Sequence, residues 1–230
     1  MSEGKIIAID GVDGSGKETQ TKLLYDLLLK KYKKIKKISF PFYERDSSKL
    51  VRMYLNGEIS KDADDVNAYA ASLFYASDRY ISYMNEWKKY VDEGYIIIMD
   101  RYVSSNMIHQ SSKISIEEDK EKYLKWIYDL EYNKLELPKP DITLFLYIDF
   151  DIREKLIETR KNKINNSNEK DIHESNLDYM KRTHLNSLEI AKKQGWKIID
   201  CMRELNGGLK EKKIITEVIY NMLINENIIQ

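Results

Sequence analysis

Gly11-Val12-Asp13-Gly14-Ser15-Gly16-Lys17-Glu18-Thr19 decides the fold. The stretch follows the apolar run Lys5–Asp10 and precedes a leucine stripe at Leu23, Leu24, Leu27 and Leu28. Strand, glycine-rich loop and helix in that order are the setting a phosphate-binding P-loop requires. Glycines let the backbone curl until several N–H groups face inward, and the helix N-terminus adds a partial positive charge. Gly11, Val12, Asp13, Gly14, Ser15, Gly16, Lys17, Glu18 and Thr19 are therefore assigned to a nucleoside triphosphate, with Lys17 bridging its β- and γ-phosphates. The residue after Lys17 is Glu18, where the pattern asks for a Ser or Thr hydroxyl to meet magnesium. Two readings stay open: Thr19 approaches the phosphates while Glu18 faces solvent, or the hydroxyl role is weak.

Four further apolar runs lie downstream: Lys37–Phe40, Tyr95–Asp100, Ile142–Asp149 and Trp196–Cys201. Continuous apolar runs of this length suit strands buried on both faces of a parallel sheet. Between them lie helical spacings. Val66, Ala70, Phe74, Ser77, Ile81 and Met84 are expected to share one helix face. Tyr123, Ile127, Leu130 and Leu135 mark another helix, and Ile215, Val218, Ile219 and Met222 the last. Strands alternating with helices predict a doubly wound α/β fold in one domain spanning residues 1–230. Lys161–Lys170, rich in Asn, reads as a surface loop or a lid.

Composition narrows the classes. Lys+Arg and Asp+Glu both number 38, so the net charge is zero and a generally basic nucleic-acid coat is not expected. One cysteine, Cys201, excludes an intrachain disulfide framework. No stretch approaches the ~20 apolar residues of a membrane span. Ile6 to Ile9 is too short for a signal-peptide core, so the expected location is cytoplasmic, without membrane or nucleic-acid partners.

The remaining motifs choose among P-loop proteins. Asp100-Arg101-Tyr102 closes the third apolar run, followed by Ser104, Ser105, Asn106 and Gln110. A strand-end carboxylate beside a P-loop suits a magnesium water, and Arg101 suits a forked grip on phosphate. Leu73-Phe74-Tyr75-Ala76-Ser77-Asp78-Arg79, Phe40-Pro41-Phe42-Tyr43 and Leu137-Pro138-Lys139-Pro140-Asp141 complete the set. In this order, from Ile6 to about Asp200, the motifs resemble those of the thymidylate kinase family. The P-loop alone is generic, whereas its combination with Phe-Pro, Phe-x-x-x-Asp-Arg and Asp-Arg-Tyr is specific.

The resemblance implies a P-loop NTPase fold with a five-stranded parallel sheet flanked by helices and a short lid near residues 160–172. It implies transfer of the γ-phosphoryl of ATP to dTMP, giving dTDP for dTTP synthesis, with Mg2+ and usually as a homodimer. Lys17, Arg101 and Asp13 are the implied catalytic residues. Asp13 lies near the sugar 3′-hydroxyl, Phe74 stacks on thymine, Arg79 reads the base, and Arg101 holds the monophosphate. Phe42, Asn106, His109 and Gln110 line the acceptor pocket. Arg160 begins the lid and reaches ATP. Asp13, Asp100 and Glu174 are the metal candidates, with Asp171 and Glu174 at the lid end.

Three positions depart from the family pattern. Phe42 stands where relatives often carry Arg, with Arg45 nearby. His109 stands where Tyr or Phe usually closes the pocket at the sugar 2′ carbon. Gly14 stands where some relatives carry an arginine, leaving Arg160, Lys161 and Lys163 as the compensating charges.

Plainer readings run alongside. By spacing alone Phe74 is a core residue, Arg79 a surface ion pair and Asp100 a strand cap. His173 and His184 read as members of a polar helix with no chemistry. The rival functions are a kinase of the same fold for another nucleoside monophosphate or a deoxynucleoside, and a regulatory nucleotide-binding P-loop protein.

Overall fold

In the computed structural model, which describes residues 4–158, 171–203 and 208–230, the first apolar run forms β1 (Lys5–Asp10). Four more strands follow in the chain: β2 (Ile35–Ser39), β3 (Ile96–Asp100), β4 (Ile142–Tyr147) and β5 (Lys197–Asp200). They make one sheet in the order β2-β3-β1-β4-β5, with every neighbouring pair parallel. β1 lies at the centre, so the loop after it opens at the carboxyl edge of the sheet. The chain order reverses there, which is where open α/β sheets bind ligands.

The strands alternate between two apolar layers, which is why their sequences read as continuous apolar runs. Ile7 and Ile9 point into one layer with Leu24, Leu28, Ile98, Leu144, Ile219 and Leu223. That layer is roofed by α1 (Lys17–Leu28) and α9 (Lys212–Asn225). Ile6 and Ala8 point the other way, toward Ile97, Met99, Tyr102, Val103, Tyr123 and Ile127. The second layer is covered by α5 (Val103–His109) and α6 (Glu117–Tyr128). Each fully buried isoleucine here is worth about 1.5–3 kcal/mol of transfer free energy.

A third cluster sits beyond the sheet edge. It joins α2 (Lys49–Leu55) and α3 (Ala68–Ser82) through Val51, Tyr54, Leu55 and Ala71 to Ile172 and Tyr179. Tyr179 belongs to α8 (Leu177–Lys193). α4 (Lys88–Asp92) leads into β3, and α7 (Phe150–Glu158) follows β4.

Helix phases differ from the expected stripes in two places. On α3 the buried positions are Ala68, Ala71, Ser72, Ala76, Asp78, Arg79 and Ser82, whereas Ile81 and the following Met84 are exposed. The helix turns its small and charged residues inward because Asp78 and Arg79 have partners there. Its apolar stripe Leu73, Tyr80, Ile81 and Met84 faces out. On α9 Val218 is exposed and Leu223 takes its place in the core, a shift that follows the contact with α1.

Candidate active site

The P-loop geometry follows from its glycines. Gly11 has φ of 151°, and a side-chain carbon there would lie 2.7 Å from the Leu146 carbonyl oxygen of β4. Gly14 has φ of 83°, a left-handed conformation that strains any other residue, and a side-chain carbon there would lie 3.1 Å from Ile157 and 3.3 Å from Arg153 of α7, so the arginine some relatives carry would be both strained and tightly packed. The turn is tied by Ser15 N–H donating to Val12 O at 3.1 Å. Lys17 folds back over the loop, its Nζ donating to Val12 O at 2.6 Å. Burial, and secondarily the Arg101 charge, lowers the Lys17 pKa to about 7. Glu18 is exposed at the rim of the adjoining cavity, and Thr19 is half-buried.

Beside the loop is a cavity of about 530 Å3. Its walls bring together Asp13, Phe42, Arg79, Asp100, Arg101, Asn106, His109, Gln110 and Glu174, residues drawn from five separate stretches of sequence. Asp171, His173, Tyr43 and Tyr75 line it as well. The volume falls in the range of small-molecule sites, about 300–1,000 Å3.

Arg101 dominates one end. It adopts φ of 69°, a left-handed conformation that costs a non-glycine residue about 1–3 kcal/mol and concentrates at functional sites. Its N–H donates to Ile9 O at 3.0 Å, which fixes the turn out of β3. The side chain donates to the Asp13 carboxylate, contacts Ser105 Oγ at 3.3 Å and lies 4.0 Å from Asp10. Burial works against its charge, but Asp13, Asp10 and Asp100 outweigh burial and raise its pKa.

Asp10 escapes a sequence reading because it only ends an apolar run. It is fully buried, accepts from Gly11 N–H at 2.8 Å and from Ser104 Oγ at 2.6 Å, and also holds Ser105. It therefore fixes the P-loop entry and the start of α5 to one carboxylate.

At the other end Arg79 is buried, with its guanidinium on Glu131. Asn106 Nδ2 donates to Glu131 Oε1 at 3.1 Å and to Ser72 O at 3.2 Å. The surface ion pair considered for Arg79 is thus a buried one. Asp78 holds the loop after β2, accepting from Phe42 N–H at 3.0 Å and Ser47 Oγ at 2.6 Å. Arg45 stacks over the Phe42 ring at 4.0 Å and pairs with Glu86, which turns it to other work. Phe74 packs against Tyr54 at a ring separation of 6.1 Å, while its neighbour Tyr75 lines the cavity.

His109 is buried, and its ring stacks on His173 at 6.3 Å with a 10° tilt. Its Nε2 is 3.4 Å from Arg101 Nη1. Burial drives its pKa well below the ordinary value, so the imidazole is neutral at pH 7. His173 precedes α8 in a turn instead of lying on a polar helix, bonds Tyr54 OH at 2.9 Å and lines the cavity. His184 does lie on α8, but it is buried beside Tyr147 and Phe150. His173 is covered by Tyr54, His109 and Tyr179, and His184 packs on the end of β4 and the start of α7, contacts that the charged sequence around them does not announce. Arg160, Lys161 and Lys163 lie outside the described residues.

A P-loop at the central strand of a parallel sheet, facing an arginine-lined cavity, defines a nucleotide-binding P-loop protein of the α/β class. A family model for thymidylate kinase matches residues 9–208. The chain is 29% identical over 223 residues to a probable thymidylate kinase of Staphylothermus marinus, covering 94% of this chain and 98% of that one. It is 28% identical over 193 residues to the thymidylate kinase of Mycobacterium tuberculosis, covering 83% and 87%. The structure of thymidylate kinase from Candida albicans superposes with a TM-score of 0.69 at 24% identity, over 99% of this chain and 94% of that one. The chain belongs to the thymidylate kinase family. It is a kinase that phosphorylates dTMP at the expense of ATP.

Proposed function

We propose that the cavity is the dTMP site and that its two arginines divide the substrate between them. Arg101 holds the monophosphate and Arg79 meets the base. The observation that carries this is the bridge from Arg101 to Asp13, which sets the acceptor-side cation against the P-loop. Phosphoryl transfer asks for positioning and charge neutralisation more than for covalent chemistry. The acceptor phosphate oxygen is already ionised at neutral pH, so no general base is needed.

In this reading Lys17 and the P-loop amides hold the ATP phosphates. Lys17 takes up its full charge as phosphate replaces the Val12 carbonyl. Arg101 lets go of part of Asp13 to grip the incoming monophosphate. Asn106, His109 and Gln110 form the wall beside the sugar. Arg160 retains its assignment to ATP.

Magnesium fits the donor set in the manner usual for phosphate-bound metal. Among the described residues no cluster of three or more His, Cys, Asp or Glu side chains is poised to hold an ion alone. Mg2+ commonly takes one or two carboxylates plus substrate phosphates. Asp13, Asp100 and Glu174, all at the cavity wall, are the candidates, of which one or two would hold the ion together with substrate phosphates and water. The ion supplies neutralisation of β- and γ-phosphate charge.

A second copy of the chain is assigned to the exposed stripe Leu73, Tyr80, Ile81 and Met84. Contiguous exposed apolar surface of this kind marks interaction sites. Among the described residues no helix is long and apolar enough to cross a membrane. A cytoplasmic location is part of the same reading.

Calorimetry with dTMP and thymidine tests the division of labour. If Arg101 holds the phosphate, thymidine binds far more weakly in the parent, and Arg101→Ala narrows that gap. An unchanged gap overturns the assignment.

A further inference from the structure

Arg79 and Glu131 form a two-pronged ion pair in the wall of the cavity. Nε donates to Oε2 at 2.5 Å and Nη2 to Oε1 at 2.6 Å. Arg79 is 2% exposed and Glu131 0%. Glu131 stands behind the wall, touching the two lining residues Arg79 and Asn106. It sits in a π turn, Asp129–Lys134, that continues α6. The turn closes through Leu135 N–H to Leu130 O, and Leu137 N–H donates to Glu131 O. Single π turns inside helices recur at functional sites.

A buried ion pair is weak evidence of a stability role, since well-packed apolar residues do as well or better. What this pair does is fix a direction and cancel a charge. The Nε–Nη2 edge of Arg79 is consumed by the carboxylate. The Asn106 donor completes that carboxylate and holds it in place. A guanidinium so neutralised exerts little pull on a dianionic phosphate. Of its remaining N–H groups, Nη1 makes a long contact of 3.5 Å to the Tyr102 carbonyl, and those left over are suited to an uncharged acceptor.

We propose that Glu131 is the positioning residue of the acceptor pocket: it locks and neutralises Arg79 so that this arginine donates to a base carbonyl and leaves the phosphate to Arg101. The inference rests on the reading of the cavity as the dTMP site. It explains how one pocket holds two arginines without binding two phosphates. Asn106, tied to the same carboxylate, is held by Glu131 as well.

The test is steady-state kinetics of Glu131→Gln, Glu131→Asp and Arg79→Ala, with dTMP and ATP varied separately. Charge-assisted hydrogen bonds of this class translate to about ten- to a hundredfold. Glu131→Gln is expected to raise the KM for dTMP by that factor while kcat and the KM for ATP stay within about twofold. If Glu131→Gln does not fold, Glu131→Asp keeps the charge but retracts it, and a several-fold rise in the same KM alone is expected. Equal losses in kcat and both KM values, or a dTMP KM unchanged in a folded Glu131 variant, overturn the positioning role. If Arg79→Ala also leaves that KM unchanged, the fault lies in the reading of the cavity. If Arg79→Ala raises it and the Glu131 variants do not, only the role of Glu131 falls.

Discussion

The guanidinium of Arg101, leaving the end of β3, donates to the carboxylate of Asp13 in the P-loop, so the two sides of the site are joined before any substrate is present. Asp10 lies beneath both, bonded to the P-loop entry and to α5. Two chain segments distant in sequence, the P-loop entry and the turn from β3 into α5, are thus set by carboxylates around one cation. Preorganised charge of this kind needs little rearrangement at the moment of transfer.

Arg101→Ala is expected to lower kcat and raise the dTMP KM together, because this cation faces the transferring group. The loss in kcat should be about 10²–10³. Arg79→Ala should raise the dTMP KM with kcat nearly intact. Steady-state kinetics of the two variants checks the split. A pure KM effect at Arg101 would place it outside the transfer path.

Lys17→Met should leave the fold intact and reduce turnover by about 10²–10³. Its pH behaviour is a second check. Folded Lys17 releases its proton near pH 7, whereas the unfolded side chain keeps it to its ordinary value of 10.5. Between those values the unfolded chain binds more protons, so this group makes stability rise with pH. Lys17→Met should remove that slope from a series of denaturant titrations. ATP binding to the parent above pH 7 should draw in a proton, seen by calorimetry in buffers of different ionisation enthalpy. Binding with no proton uptake would contradict the role given to Lys17.

Much of this was legible in the chain. Each of the five strands was announced by an apolar run; in β1, β3 and β4 burial on both faces leaves no polar alternation to blur the signal. β2 is the least faithful: it starts at Ile35 and ends at Ser39, and its lysines hide the start. The P-loop, Arg79, Arg101, Asn106, His109 and Gln110 were named by local motif, and all border the P-loop or the cavity. Asp10, Glu131 and His173 were not. Asp10 differs from a strand cap only through its tertiary partners. Glu131 lies in a π turn, which breaks the helical period used to find buried faces. His173 depends on a turn that folds back over Tyr54. The α3 phase was misjudged because its inward face is built of alanine, serine and an ion pair, while its large apolar residues look outward.

His109→Tyr is expected to sharpen the preference for dTMP over its ribose counterpart by about tenfold, within the range of small steric differences in a pocket. The imidazole is smaller than a phenol, is neutral at pH 7, and leans on His173 in the cavity wall. A larger ring crowds the sugar side. The ratio of kcat/KM values for the two nucleotides measures the effect, and an unchanged ratio places Asn106 or Gln110 at the sugar instead.

The most direct test is a panel of acceptors offered with ATP and Mg2+: dTMP, dUMP, dCMP, dGMP and thymidine, with the phosphorylated products identified. A site with one phosphate-gripping arginine beside the P-loop and one neutralised arginine at the base should convert dTMP to dTDP with the highest kcat/KM. Thymidine, lacking the phosphate, should be the poorest of the pyrimidine acceptors. Preferred phosphorylation of thymidine or of dGMP, or ATP hydrolysis without transfer to dTMP, would contradict the account.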